Sequence, residues 1–350
     1  MSRIAVIPGD GIGPEVIAEA LRLLELLRGK GRSFSWDVFP FSAETFLRDG
    51  RAMPLEALGQ LAGYDAILLG AFGDPRIPDM AHGREVVLGL RQGLDLYVNM
   101  RPVRLLLPEL TPLKRGGASE IDFVVLRENT EGLYAHAGGF LHRGTRNETA
   151  LQTSVDTRFG IERFLRYAFA LAAARPIAKL TLVDKHNALR FSGDLWYRTF
   201  LEVASAFSSV SAEHRFIDAA CAELVLNPAH FSVIAADNLF GDILGDLGAA
   251  LAGGLGFAPS ANINPETGKG MFEPIHGSAP DIAGRGIANP CAALLACAMM
   301  VEHLGDKEAA MAIEKAVRKS LAEGALTRDA GGTLSTSEMG KAVMARMDIP

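Results

Sequence analysis

Cysteine is scarce in this chain: Cys221, Cys291 and Cys297 are the three in 350 residues, and their spacing matches no zinc site. An odd, scattered set of thiols excludes a disulfide framework and reads as reduced cysteines. Positive charge is not in excess either. Against 41 acidic side chains stand 35 basic ones, a formal net charge of −6. A nucleic-acid partner is therefore not expected, and an anionic ligand has to be held by a local cluster of arginines. Long apolar runs are missing. The longest, residues 292–301, is well below the ~18 residues of a membrane span. The apolar start at residues 4–7 is cut short by Pro8, unlike a secretory leader. No membrane partner is expected, and the expected location is the cytoplasm. No internal repeat or low-complexity linker divides the chain.

What is present is an ordinary globular composition, 49% hydrophobic and 22% charged, in which short apolar runs alternate with segments of helical periodicity. Residues 4–7, 66–70, 122–126, 179–183 and 233–236 read as buried strands, and 14–27, 83–94, 159–174 and 195–206 as helices. That alternation predicts an α/β protein with helices packed on a parallel or mixed sheet. The first strand–turn–helix carries Gly9, Gly11 and Gly13, with Pro14 opening the helix. Its spacing is G-x-G-x-G, not the G-x-G-x-x-G of a dinucleotide-binding Rossmann turn, and no G-x-x-x-x-G-K-[ST] phosphate loop occurs. Backbone amides at the helix start remain available to a ligand.

The densest chemistry lies at residues 237–248, DNLFGDILGDLG. If this segment is helical, Asp242 and Asp246 share a face, where two carboxylates repel unless they are solvated or bridged by a cation. Hard oxygen ligands suit Mg²⁺ or Mn²⁺, and Asp218 is a candidate third ligand. Cationic partners for an acid substrate come from Arg91, Arg101 and Arg127, whose planar forks suit carboxylates. Tyr134 and Lys185 are candidate acid and base groups; a cation and arginines near Lys185 would disfavour its ammonium form. His82, His214 and His303 carry no metal-ligand spacing. The stretch from Phe272 to Gly284, with two prolines and two glycines, reads as a shaped loop able to wrap an adenosine. Asp281 there would accept from a ribose 2′-hydroxyl and repel a 2′-phosphate, which favours NAD over NADP.

Four ordered motifs, PGDGIGPEV (8–16), RENTEGLY (127–134), DNLFGDILGDLG (237–248) and FEPIHGSAPDIAGRGIANP (272–290), together resemble the β-decarboxylating dehydrogenases. This is the isocitrate/isopropylmalate dehydrogenase family, which includes the homoisocitrate and tartrate/(R)-malate enzymes. The resemblance implies a two-lobed α/β fold with a large mixed sheet, distinct from a Rossmann unit. Residues 1–99 plus 252–350 would build the cofactor-side lobe, and 100–251 the second lobe with the dimer interface. It further implies a homodimer with shared active sites. Arg91, Arg101 and Arg127 would clamp substrate carboxylates, while Asp242 and Asp246 would hold Mg²⁺ or Mn²⁺ with Asp218 of the partner. Tyr134 and the partner's Lys185 would transfer protons. His276, Gly277, Ser278, Ala279, Asp281 and Asn289 would lie at NAD.

For the substrate, the helix expected at 83–94 presents Arg84, Val87, Leu88 and Arg91 on one face. Isocitrate enzymes resembling the bacterial type place Ser and Asn where this chain has Glu85 and Val87. Homoisocitrate enzymes place Arg where it has Leu88. Both departures speak against a third substrate carboxylate. Val87 and Leu88 suit an isopropyl group, yet RENTEG departs from the RELTGG of isopropylmalate enzymes. YVNMRPVRLL and APSANINPE resemble the tartrate/(R)-malate branch. The preferred expectation is (R)-malate or tartrate, with 3-isopropylmalate the alternative; isocitrate, homoisocitrate and a non-catalytic paralogue rank below both. Arg84 fits neither leading branch.

Overall fold

The five apolar runs all become strands of one sheet. The computed structural model describes residues 1–54, 56–114 and 121–349. Its strands are β1 Ser2–Gly9, β2 Phe34–Val38, β3 Ala66–Ala71, β4 Val98–Arg104, β5 Asp122–Glu128, β6 Gly132–Leu141, β7 Thr149–Val155, β8 Lys179–Asp184, β9 Ser211–Phe216, β10 Val233–Ala236, β11 Pro259–Asn264 and β12 Lys269–Pro274. Among the described residues ten of them form a single mixed sheet, in the order β2-β1-β3-β12-β11-β4-β5-β10-β8-β9. The first four run parallel to one another, and so do the last four. β11 and β4 are antiparallel to their neighbours, so the two outer sets point in opposite directions. β6 and β7 pair separately as an antiparallel hairpin that exposes Phe140, Leu141, Leu151 and Val155.

Side chains alternate across the strands with a period of two. Ile4 and Val6 of β1, and Val124 and Leu126 of β5, enter one continuous core on one face. Ala5 and Ile7 enter a second cluster with Val86 and Leu90. Phe123 and Val125 enter a third with Leu244. The second and third clusters therefore cover the same face of the sheet at its two ends and leave a gap between them. The helices expected at 14–27, 159–174 and 195–206 are present as Gly13–Gly29, Arg158–Ala174 and Arg190–Ala204. The first buries Val16, Ile17, Ala20, Leu23, Leu24 and Leu27, each large aliphatic contributing roughly 1.5–3 kcal/mol relative to exposure.

Two expectations need correction. The helix read at 83–94 starts earlier, at Ala81–Gly83, and passes through a widened π-type turn, Arg84–Leu88, before Gly89–Gly93. The loop read from Phe272 begins only after Pro274, because Phe272, Glu273 and Pro274 complete β12. The glycines of the first turn serve close packing: a Cβ on Gly11, whose φ is +56°, would lie 2.0 Å from the Ser278 carbonyl oxygen. That carbonyl accepts the Ile12 amide at 2.9 Å.

Candidate active site

The gap between the two clusters is a cleft of about 390 Å³. Its floor follows from the same alternation. On β4 Val98 points into the continuous core, so Asn99 and Arg101 point to the cleft face. Arg127 on β5, Ser260 and Asn262 on β11, and Glu273 on β12 do likewise. All are buried. One wall is the Ala81–Gly93 segment, which contributes Arg84, Val87, Leu88 and Arg91; the other is the Asn238–Leu251 helix, which contributes Asp242 and Asp246. That helix is capped by the Asp237 side chain, which accepts the Phe240 amide at 2.7 Å. Glycines bring it down onto the arginines. A Cβ on Gly241 would meet Arg127 Cβ at 2.6 Å, and one on Gly245 would meet Arg101 Cδ at 2.4 Å.

Three guanidinium groups converge on the floor. Arg101 donates to Asp242 Oδ1 at 2.7 Å, to Asp246 Oδ1 at 3.2 Å and to Asn99 Oδ1 at 2.9 Å. Arg127 donates to Asp242 Oδ1 at 2.5 Å and to Asn238 Oδ1 at 2.8 Å. Arg91 donates to Glu273 Oε1 at 2.8 Å, while its buried Nε has no partner. Burial, reinforced by Arg91 and outweighing the help of Asp242, pulls Arg127 down to about 10. Desolvated cations crowded in this way favour an anion. Behind them Asn99, Asn129, Ser260 and Asn262 form a buried hydrogen-bonded network that fixes the floor.

Tyr134 closes the site. Its hydroxyl donates to Asp242 Oδ2 at 3.0 Å and its ring lies 4.9 Å from the Arg127 guanidinium carbon. Burial and then the Asp242 charge raise its pKa, so it stays protonated. Burial pushes Asp242 up, but Arg127 and Arg101 outweigh it and the net shift is downward. Burial raises Asp246, against the pull of Arg101.

A second cleft, about 410 Å³, meets the first at His276 and is lined also by Ile12, Ile282, Arg285, Asn289, Arg328 and Asp329. Burial lowers the pKa of His276, and its buried Nε2 has no partner. Gly277 lines the first cleft. Ser278 is buried, and Ala279 has a positive φ of 40°. Asn289 donates to Asp329 at 2.9 Å. Asp281 is exposed and does not line this cleft, although its neighbour Ile282 does. Glu273, Asp329 and Arg328 were missed in the sequence. Glu273 had a signal, the alternation of residues 271–273.

A family model described as isocitrate/isopropylmalate dehydrogenase matches residues 3–343. The chain belongs to this family. It is accordingly a decarboxylating dehydrogenase acting on a CH–OH group. It is 47% identical over 347 residues to a 3-isopropylmalate dehydrogenase of Thermobifida fusca, covering 99% of this chain and 97% of that one. A 3-isopropylmalate dehydrogenase of Beutenbergia cavernae is 48% identical over 347 residues, covering 98% of each. Among solved structures, isocitrate dehydrogenase from Methylococcus capsulatus superposes with a TM-score of 0.89 at 38% identity, covering 99% of both chains. The mixed sheet of the family, rather than a Rossmann unit, is what the strand order displays.

In this family member two expected site residues stand apart from the cleft. Lys185, just after β8, donates to Asp218 Oδ1 at 2.5 Å, and neither residue lines the cleft. Asp218 lies in the first turn of the Ile217–Leu226 helix, exposed, and Lys185 lowers its pKa. His214, read as featureless, instead joins Asp184 and His186, with one donor atom of each within 4.8 Å of the others. No helix among the described residues is long and apolar enough to cross a membrane.

Proposed function

We propose that this dehydrogenase oxidises and decarboxylates 3-isopropylmalate, using NAD and Mg²⁺ or Mn²⁺, as a homodimer with shared active sites. The observation that carries the reading is a cleft lined both by three arginines, Arg91, Arg101 and Arg127, and by an apolar patch, Val87 and Leu88. Arg84 adds no free charge to that patch, because its guanidinium is held by the Asp79 carbonyl and, at 3.3 Å, by the Asp79 carboxylate. The preference for (R)-malate or tartrate read from the sequence is outweighed by this pinning and by relatives named 3-isopropylmalate dehydrogenase at 47–48% identity. The division into lobes 1–99 plus 252–350 and 100–251 is part of the same proposal.

The residues fit both implied groups. Asp242 and Asp246 open onto one cleft as hard oxygen donors. Asp218 of a second copy would complete the set, since its own chain keeps it elsewhere. The unpartnered His276 Nε2 at the junction of the clefts fits a dinucleotide reaching from one to the other. Exposed apolar residues on the β6–β7 hairpin, with Val225, Leu226 and Ile243, support a dimer. When bound, NAD takes up hydride and the divalent cation stabilises negative charge on the substrate oxygen.

Arg101 and Arg127 would bind one substrate carboxylate, and Arg91, through its free Nε, the other. Val87 and Leu88 would pack on the C3 isopropyl group. Lys185 of the second copy would accept the C2 hydroxyl proton, and Tyr134 would deliver a proton to C3 after CO₂ leaves. The test is NADH formation from 3-isopropylmalate, (R)-malate, tartrate and isocitrate, with and without chelator. Highest kcat/KM on 3-isopropylmalate, lost with chelator, is expected. Preference for (R)-malate or tartrate would overturn the assignment.

A further inference from the structure

We propose that Asp184, His186 and His214 form a second metal site, for a divalent ion of the zinc class, separate from the carboxylate pair in the cleft. The proposal is independent of the substrate assignment. Asp184 ends β8 and His214 sits on β9, whose register pairs Leu182 with His214 and Asp184 with Phe216. Paired residues of parallel strands face the same side, so Asp184 and His214 project together. His186, two residues beyond Asp184, turns back over them. Its Nδ1 lies 3.0 Å from Asp184 Oδ2, and His214 Nε2 lies 2.6 Å from Asp184 Oδ1.

The three donor atoms lie within 4.8 Å of one another. In a tetrahedral zinc site with bonds of about 2.0–2.1 Å, ligand atoms stand roughly 3.3 Å apart. The two histidine–aspartate contacts, at 3.0 and 2.6 Å, need to open by less than about 1 Å to reach that spacing. Two imidazoles and one carboxylate favour Zn²⁺, Co²⁺ or Ni²⁺ over Mg²⁺, which prefers oxygen alone. Rings hold the ligands in place: His186 stacks on Tyr197 at 4.7 Å, and Phe216 lies edge-on to His214 at 4.9 Å. The Asp184 side chain is 8% exposed, those of His186 and His214 are 29% and 19%. The imidazoles thus leave an entry path and a fourth position for water.

Lys185 is flanked in sequence by two of these ligands, so an ion here would fix the backbone that carries it. This separates two cation effects on one enzyme: hard ions at Asp242 and Asp246, borderline ions at the β8–β9 edge.

The experiment titrates the metal-free full-length protein with Co²⁺ in excess Mg²⁺, following visible absorption and the thermal midpoint. One Co²⁺ per chain with the intense bands of a four-coordinate site is expected, together with a raised midpoint. His186→Ala and His214→Ala should each weaken Co²⁺ binding by at least about tenfold, while Asp242→Asn leaves it unchanged. His214→Gln, which keeps a polar side chain of similar reach, serves if the alanine variant does not fold. Equal binding by the folded histidine variants, loss of binding in Asp242→Asn, or a thiolate charge-transfer band implicating Cys221 would each overturn the proposal.

Discussion

Adding one methyl group at Gly245 asks whether the tight seat of the Asn238–Leu251 helix is what aligns Arg101. The new Cβ would lie 2.4 Å from Arg101 Cδ and 2.6 Å from Nη1. A long side chain could ordinarily swing away, but Arg101 is buried and tied to Asn99, Asp242 and Asp246. Either the helix lifts or the guanidinium leaves its partners. Overpacking of this kind costs about 1–3 kcal/mol, and weakening a hydrogen bond to a charged group costs about 1.5–3 kcal/mol. Gly245→Ala is therefore expected to lower kcat/KM by about 10- to 100-fold and the thermal midpoint by a few degrees. The matched control is Gly29→Ala, where nothing lies within 4 Å of an added Cβ. That change should leave activity intact and stabilise slightly. Steady-state kinetics and thermal unfolding of both variants decide the matter. Wild-type kcat/KM and midpoint in Gly245→Ala would refute the alignment argument; equal losses in both variants would show a generic helix effect.

Tyr134→Phe removes the hydroxyl that touches Asp242 and should lower kcat by roughly 10²- to 10⁴-fold with KM little changed; an unaltered kcat would remove Tyr134 from proton transfer. Mixing Tyr134→Phe with Lys185→Ala chains under exchange conditions should restore about a quarter of wild-type activity, because half the dimers carry one intact shared site; no restoration would mean the sites are not shared. Burial raises Asp237 to about 7, so the native state holds its proton more tightly than the unfolded chain. Its contribution to stability is full below about pH 4 and is lost as pH rises through about 7. Asp237→Asn, which keeps the helix cap, should gain on the order of 1–3 kcal/mol at pH 8 and lose that advantage near pH 4, as read by urea unfolding at the two pH values.

Five strands, β1, β3, β5, β8 and β10, were legible because they are largely buried and appear as unbroken apolar runs, as in residues 66–70 and 233–236. The central strands were not. β4, β11 and β12 place Asn99, Arg101, Ser260, Asn262 and Glu273 on the cleft face, and that polar alternation is the reason they did not read as core. The cleft residues of the Asn238–Leu251 helix were accessible from spacing, since Asp242 and Asp246 are four apart on a surface otherwise apolar and glycine-rich. What the glycines at 241 and 245 do became clear only with the arginines beneath them. Arg84 found its explanation in Asp79, five residues earlier and outside the helix face considered. Asp281 carried the choice of NAD in the sequence, yet its side chain stays outside the second cleft, a placement that loop composition does not encode.

The strand order also governs how this protein is made. β3 pairs on its inner side with β12, which lies some 200 residues later in the chain, at Met271 and Phe272. The turn at Gly11 is likewise closed by the backbone of Ser278. During synthesis β1, β2 and β3 can assemble early, but the inner edge of β3 stays open, and fully apolar, until residues 269–274 leave the ribosome. An uncovered edge of that kind templates pairing with other chains. The last third of the sequence therefore acts as the cover for the first, and truncation ahead of β12 converts the opening β-α-β unit into a surface primed to aggregate.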